Sequence, residues 1–174
     1  MKNKQTLLTS LAIVVFVALL WLLLSRSYRG EPPATEPPAT RPVARPVPTP
    51  AGLEELKQFH GTWEFVSLEV SGDAKPDSDF KKYKVVFEDD QWLVWEGTNL
   101  AAKTSIVLDP SATPKTLDAF PPPGKGEPIH GIYRFAGDQL IICDRGESAG
   151  ERPTDFTSEP NSGAVLIVYQ RLPR

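Results

Sequence analysis

The chain has one cysteine and two histidines in 174 residues. A lone thiol forms no intrachain disulfide, and one Cys with two His falls short of a Cys-rich or His-rich metal site. A glycine-rich phosphate loop and an alternation of strands with helices are both missing, which argues against a nucleotide-binding fold. Basic charge is scarce where a nucleic acid would need it. Residues 51–174 carry 13 basic and 20 acidic side chains, a net of −7, and no basic patch forms there to displace counterions. The positive excess lies instead in residues 1–50, with six basic and two acidic side chains.

What is abundant comes in three blocks. The first is a long apolar run. Residues 7–24 are 18 positions without a charge, and only Thr9 and Ser10 are polar. As a helix the run spans roughly 27 Å, close to the ~30 Å hydrocarbon core of a bilayer. The apolar part of a secretory signal is shorter and ends at a small-residue cut site. Here only "SRS" at 25–27 resembles one, and Arg26 spoils it. The run therefore favours an uncleaved signal-anchor over residues 1–29, with a cleaved signal as the rival and a buried core helix as a third option. Lys2 and Lys4 favour a cytoplasmic amino terminus, although Arg26 and Arg29 pull the other way. The expected arrangement is a single-pass membrane protein with its domain exported to the periplasmic or extracellular face.

The second block is a proline-rich linker, residues 30–50, in which eight of 21 residues are proline and EPPAT occurs twice. Proline fixes φ and lacks an N–H, so this run suits neither helix nor sheet interior. Extended as polyproline II it reaches roughly 65 Å. A spacer holding the domain off the membrane is the plain reading, and a PxxP docking ligand is the sharper one.

The third block, residues 51–174, reads as the folded domain. Leu53, Leu56 and Phe59 stand at helical spacing, predicting a short helix. Seven runs rich in Val, Ile and aromatics follow, at 62–70, 82–88, 91–97, 103–109, 131–136, 139–144 and 164–172. Two weaker ones lie at 114–120 and 152–157. Turn formers separate them, including Asp89-Asp90 and Gly137-Asp138. The pattern predicts an all-β fold, an antiparallel up-and-down β-barrel of about eight strands after a short helix.

Two features of this block have a family likeness. Gly61-Thr62-Trp63 opens the first strand, and Arg171 lies in the last, "VYQRL". A Gly-x-Trp with a late arginine resembles the closing elements of lipocalin-like (calycin) barrels. The resemblance implies that Gly61, Trp63 and Arg171 seal one barrel end, with the guanidinium across the indole. The ordered fragments "GTWEFVSLEVSG", "IVLDPSATPKTLD", "IHGIYRFAGDQLIICD" and "ERPTDFTS" resemble an uncharacterised lipocalin-like domain family found in planctomycete bacteria. That likeness covers about residues 53–172. It implies a fold, and carries no activity, catalytic residue or cofactor with it.

The reactive side chains have plain explanations. Cys143 sits inside an apolar strand, where a small buried hydrophobe is expected rather than a nucleophile. Asp89-Asp90 reads as a hairpin turn, His60 as a hydrogen-bonded boundary residue, and Arg152 with Asp155 as an ion pair at the barrel rim. With Gly137-Asp138 as a two-residue turn, Phe135 faces Leu140, Tyr133 faces Ile142 and Ile132 faces Cys143, leaving His130 and Arg145 paired at the hairpin's open end. Phe65, Phe87, Tyr133, Phe135, Leu140 and Ile142 are assigned to the barrel interior, as walls for a small apolar ligand. No catalytic residue, metal ligand or cofactor is expected, and the chain is not read as an enzyme. The competing reading is a structural or protein-interaction module of the cell envelope, using loops such as 118–128.

Overall fold

A computed structural model describes residues 45–123, 125–146 and 151–173. The expected anchor at 1–29 and most of the linker lie outside them. Among the described residues no helix is long and apolar enough to cross a membrane.

Helix α1 (Pro50–Phe59) begins where the linker was expected to end. Pro50 is its first residue, a position where a missing N–H costs nothing, and Thr49 caps it by accepting from the Gly52 N–H at 3.0 Å. Its buried face is Gly52, Glu55, Leu56 and Phe59, a 3–4–7 spacing. Leu53, expected on that face, is 51% exposed. Gly52 takes the place because a Cβ there would lie 2.5 Å from the Leu108 carbonyl oxygen, so the helix backbone can rest directly on the sheet.

The strands follow as β1 (Gly61–Val70), β2 (Asp73–Ala74), β3 (Tyr83–Glu88), β4 (Gln91–Glu96) and β5 (Asn99–Asp109). After them come β6 (Thr116–Phe120), β7 (Ile129–Ala136), β8 (Gln139–Asp144) and β9 (Val165–Arg171), while a short helix α2 (Asp77–Phe80) lies between β2 and β3. Every pairing is antiparallel between sequence neighbours, apart from β1 with β3 and the closing pair of β1 with β9. Eight strands thus form a closed barrel, and β2 is a two-residue addition to β1.

The expected β7–β8 register is the one observed, with Phe135 opposite Leu140, Tyr133 opposite Ile142 and Ile132 opposite Cys143. The weak run at 114–120 is β6. The weak run at 152–157 is not a strand. Pro153 cannot donate to a ladder, and β8 pairs directly with β9. Phe156 of this segment packs instead with Ile132, Cys143 and Ala164, a small apolar cluster separate from the main core.

Two irregularities shape the barrel. Val66 is an extra residue in β1 opposite β9, so Trp63, Phe65, Leu68 and Val70 all turn inward although their spacing breaks strict alternation. At the end of β6, Phe120 runs into three prolines, and the β5–β6 ladder stops at Ser105–Phe120. Asn99–Thr104 of β5 therefore pair only with β4 among the described residues. A bulge beside Ala101 and the exposed Lys103 lie on that open edge, both devices that discourage edge-to-edge pairing.

The interior is filled from the α1 end. Phe59 is fully buried, with its ring centroid 5.0–5.3 Å from those of Tyr133, Phe135 and Phe87, each edge to face. Such pairs add to the burial of the rings themselves. Phe59→Ala is expected to lower the unfolding free energy by about 3–5 kcal/mol. Leu53→Ala, nearly two turns away on the exposed face, is expected to shift it by less than about 0.5 kcal/mol. Urea denaturation of the two variants beside the parent checks both values.

Candidate functional site

The barrel seal comes first because it holds the neighbouring groups in place. Arg171 leaves β9 with its guanidinium carbon 4.1 Å from the centre of the Trp63 ring. Its Nη1 donates to the His60 carbonyl at 2.7 Å and its Nη2 to the Gln58 carbonyl. The cation thus covers the indole face and also satisfies carbonyls at the end of α1. Trp63 donates its Nε1–H to the Phe59 carbonyl at 2.7 Å. Gly61 has φ +127°, and a Cβ there would sit 3.3 Å from Arg171 Nη1, so both backbone and packing call for glycine.

The six residues assigned to the interior all face inward, packed mostly against one another. Phe87, Tyr133 and Phe135 surround Phe59. Phe65 lies on another side, against Tyr169 at 4.7 Å and Phe80 of α2 at 5.9 Å. Leu140 and Ile142 are fully buried in the same core.

Tyr133 and Phe135 have a second environment. With Gln58, Pro114, Lys115, Arg134 and Phe156 they line a hollow of about 350 Å³ that opens to solvent. Its elements arrive from three directions: the last turn of α1, the 110–115 connection, and the 151–158 segment lying against β7. Beneath it, Glu55 is almost wholly buried. Its Oε1 accepts from Lys115 Nζ at 2.6 Å and from the Tyr133 hydroxyl at 3.2 Å, and its Oε2 accepts from Gln58 Nε2 at 2.9 Å. Burial, followed by the Glu55 charge, drives the Tyr133 phenol well above its ordinary pKa, so it stays a hydrogen-bond donor. On the outer wall the Arg134 guanidinium lies 4.8 Å from the centre of the Phe156 ring.

Nothing in the spacing of strand residues pointed to Glu55, Lys115, Arg134 or Phe156. For Glu55 a signal was present, since Gly52, Glu55, Leu56 and Phe59 share one helix face. A carboxylate at a core position needs partners. Phe156 was legible only as part of a supposed strand.

The open end of the β7–β8 hairpin is arranged differently from the expectation. His130 Nδ1 lies 2.7 Å from Asp118 Oδ1 on β6, rather than pairing with Arg145. The same oxygen accepts from Arg152 Nη2 at 2.7 Å, and Arg152 Nη1 donates to the Gly131 carbonyl at 2.6 Å. Arg152 therefore pairs with Asp118, not Asp155, whose carboxylate accepts from Thr157. The cross-strand neighbour won because Asp118 and His130 stand directly opposite in the β6–β7 ladder. Arg152 latches the 151–158 segment to it, which fixes Phe156 over β7.

Two buried groups complete the inventory. Cys143 is fully buried, its thiol 3.5 Å from the Thr157 carbonyl it donates to, and burial pushes its pKa up to about 11. Asp144 follows Leu140 and Ile142 in alternation and so turns inward. A Cβ on Gly131 would lie 3.2 Å from the Asp144 Cβ, so the glycine leaves room for it. Burial pushes the Asp144 carboxyl up to about 6, against the opposing effect of the Gly146 N–H donated at 2.7 Å.

No family model matches the chain, and neither a curated protein nor a solved structure matches it. The likeness to the planctomycete family therefore has no counterpart in these comparisons.

Two outcomes follow from the buried groups. Cys143 is expected to resist an aromatic disulfide reagent in the native protein at pH 7.5 and to react within seconds once urea unfolds the chain. Native-state labelling at the unfolded rate would contradict its burial. Asp144 binds its proton more tightly in the folded state than an ordinary carboxyl of pKa about 3.9. Its contribution is thus neutral below pH about 4, and stability falls as pH rises to about 6, by roughly 3 kcal/mol. Asp144→Asn is expected to raise the unfolding free energy at pH 7 and leave it little changed at pH 4, measured by urea titration at each pH.

Proposed function

We propose that the chain is a membrane-tethered, lipocalin-like binding domain, exported to the periplasmic or extracellular face, which takes a small, largely apolar molecule. The observation that carries this reading is the aromatic hollow beside β7. Tyr133 and Phe135, two of the residues assigned to ligand contact, line a space of about 350 Å³, Phe135 half-buried and Tyr133 buried in its wall. Small-molecule sites combine such apolar walls with a few placed polar groups, in volumes of about 300–1,000 Å³. The ligand then rests at the barrel's edge, against Phe135 and Phe156, because aromatic side chains occupy the interior behind them.

The closed eight-stranded barrel, the Arg171–Trp63 stack and the helix leading into β1 support the lipocalin-like assignment. The uncharged run at residues 7–24 and the proline-rich segment after it support the tether. A binding role is preferred to catalysis because the one thiol is buried and protonated at neutral pH. His130 supports the same preference: among the described residues its ring bonds to Asp118 and to no serine, threonine or cysteine. The acidic charge of residues 51–174 supports a partner other than nucleic acid.

Two measurements test the reading. A diazirine-bearing octanol, photolysed with the full chain, is expected to label peptides containing Phe135 or Phe156. Phe156→Ala is expected to weaken that labelling about tenfold, equivalent to losing about 1.4 kcal/mol of apolar contact. Uniform labelling over the surface would remove the site. For the tether, a reporter enzyme active only outside the cytoplasm, fused after residue 174, is expected to be active; an inactive fusion beside an active cytoplasmic reporter would reverse the orientation.

A further inference from the structure

We propose that the ligand of the hollow beside β7 is an amphipathic anion, its head held by Arg134 and Lys115 and its tail lying against Phe135 and Phe156. This deepens the binding role proposed above and rests on it.

The polar groups in the hollow differ in what they have left to offer. Glu55 is the carboxylate beneath it, and Lys115, Tyr133 and Gln58 already occupy both of its oxygens. Glu55 is also almost fully buried, so it presents little to an incoming molecule. Lys115 gives one hydrogen bond to Glu55 and has three N–H donors. Its side chain remains 40% exposed. Arg134 is exposed and makes no side-chain hydrogen bond among the described residues; its contact is the face of Phe156. The available chemistry is therefore a set of charged donors with no free carboxylate beside them.

The charge balance points the same way. Among the residues that line the hollow or bond to its lining, Lys115 and Arg134 against Glu55 leave one positive charge in excess, inside a region of the chain whose net charge is −7; Asp109, whose charge also reaches Tyr133, is engaged with Ser111. A cationic ligand would meet two like charges here. A neutral one would leave the guanidinium donors to water. A carboxylate, phosphate or sulfonate fits the planar edge of a guanidinium placed over an aromatic ring, which suits two-pronged recognition. Beyond that edge the walls are Phe135, Phe156 and Pro114, suited to an alkyl or aromatic body. The Asp118–Arg152 latch keeps Phe156 over β7, and with it the orientation of Arg134.

The test uses the full chain in zwitterionic lipid nanodiscs, with photoactivatable octanoate, octanol and octylamine as probes. Labelling is read at peptides containing Phe135 and Phe156. Octanoate is expected to label at least tenfold more than octanol, and octylamine least. Arg134→Gln removes the charge together with the guanidinium contact on the Phe156 ring. It is expected to bring the octanoate-to-octanol labelling ratio from at least ten to near one. Arg134→Lys is expected to restore part of the difference. Nanodiscs containing an anionic lipid separate two sources of the head group: suppressed octanoate labelling assigns it to a lipid, and unchanged labelling to a soluble anion. Equal labelling by all three probes, or preference for octylamine, overturns the anion and leaves the apolar binding site standing. No labelling of these peptides by any probe overturns both.

Discussion

Arg171 ties together three parts of the molecule. It comes from the last strand, lies on an indole of the first, and binds the carbonyls at the end of the helix before it. The β1–β9 ladder closes the sheet, and this side chain, with the Trp63 Nε1–H bond to the Phe59 carbonyl, fixes the helix to that closure. Once α1 is placed, Phe59 must enter the barrel, and the ring contacts of Phe87, Tyr133 and Phe135 follow. Gly61 is the concession that makes the arrangement possible, since a side chain there would crowd the guanidinium.

The same arrangement sets where apolar surface stays accessible. An up-and-down barrel of eight strands is near the size at which side chains can fill the interior or leave space for one small molecule. Here a helix inserts an additional aromatic ring, and the strands around it contribute large residues of their own. Accessible apolar surface is displaced to the edge of the barrel, where the half-buried Phe135 and Phe156 line the hollow. There the chain places groups of opposite type on two levels: a satisfied carboxylate below, and at the mouth two cations that keep N–H donors to spare.

Much of the fold was legible because strands carry short-range signals. Alternation, turn residues and a two-residue hairpin loop were enough to set the β7–β8 register to the residue. What the sequence hid was longer in range. His130 and Arg145 flank one hairpin, but Asp118, from the strand on the other side, captured the imidazole. Leu53 has the hydrophobicity of a core residue, yet Gly52 won the buried position by allowing closer approach of backbone to backbone. The 152–157 run has strand-like composition, and a proline with no adjacent edge to join turned it into a cover for outward-facing Ile132 and Cys143. The hollow beside β7 was least visible of all, because its residues come from a helix, two loops and a strand that share no periodicity.

The position of α1 has a mechanical consequence. The described chain enters the barrel at Arg45, which pairs with Asp90 at the β3–β4 turn, and passes directly into the helix that carries Phe59. A pull on the amino-terminal side reaches that ion pair first and the helix next. Tension along the chain would therefore act on the plug itself, and lifting α1 by a single turn would draw Phe59 away from Tyr133 and Phe135. Any load on that side and the shape of the hollow would depend on the same few contacts.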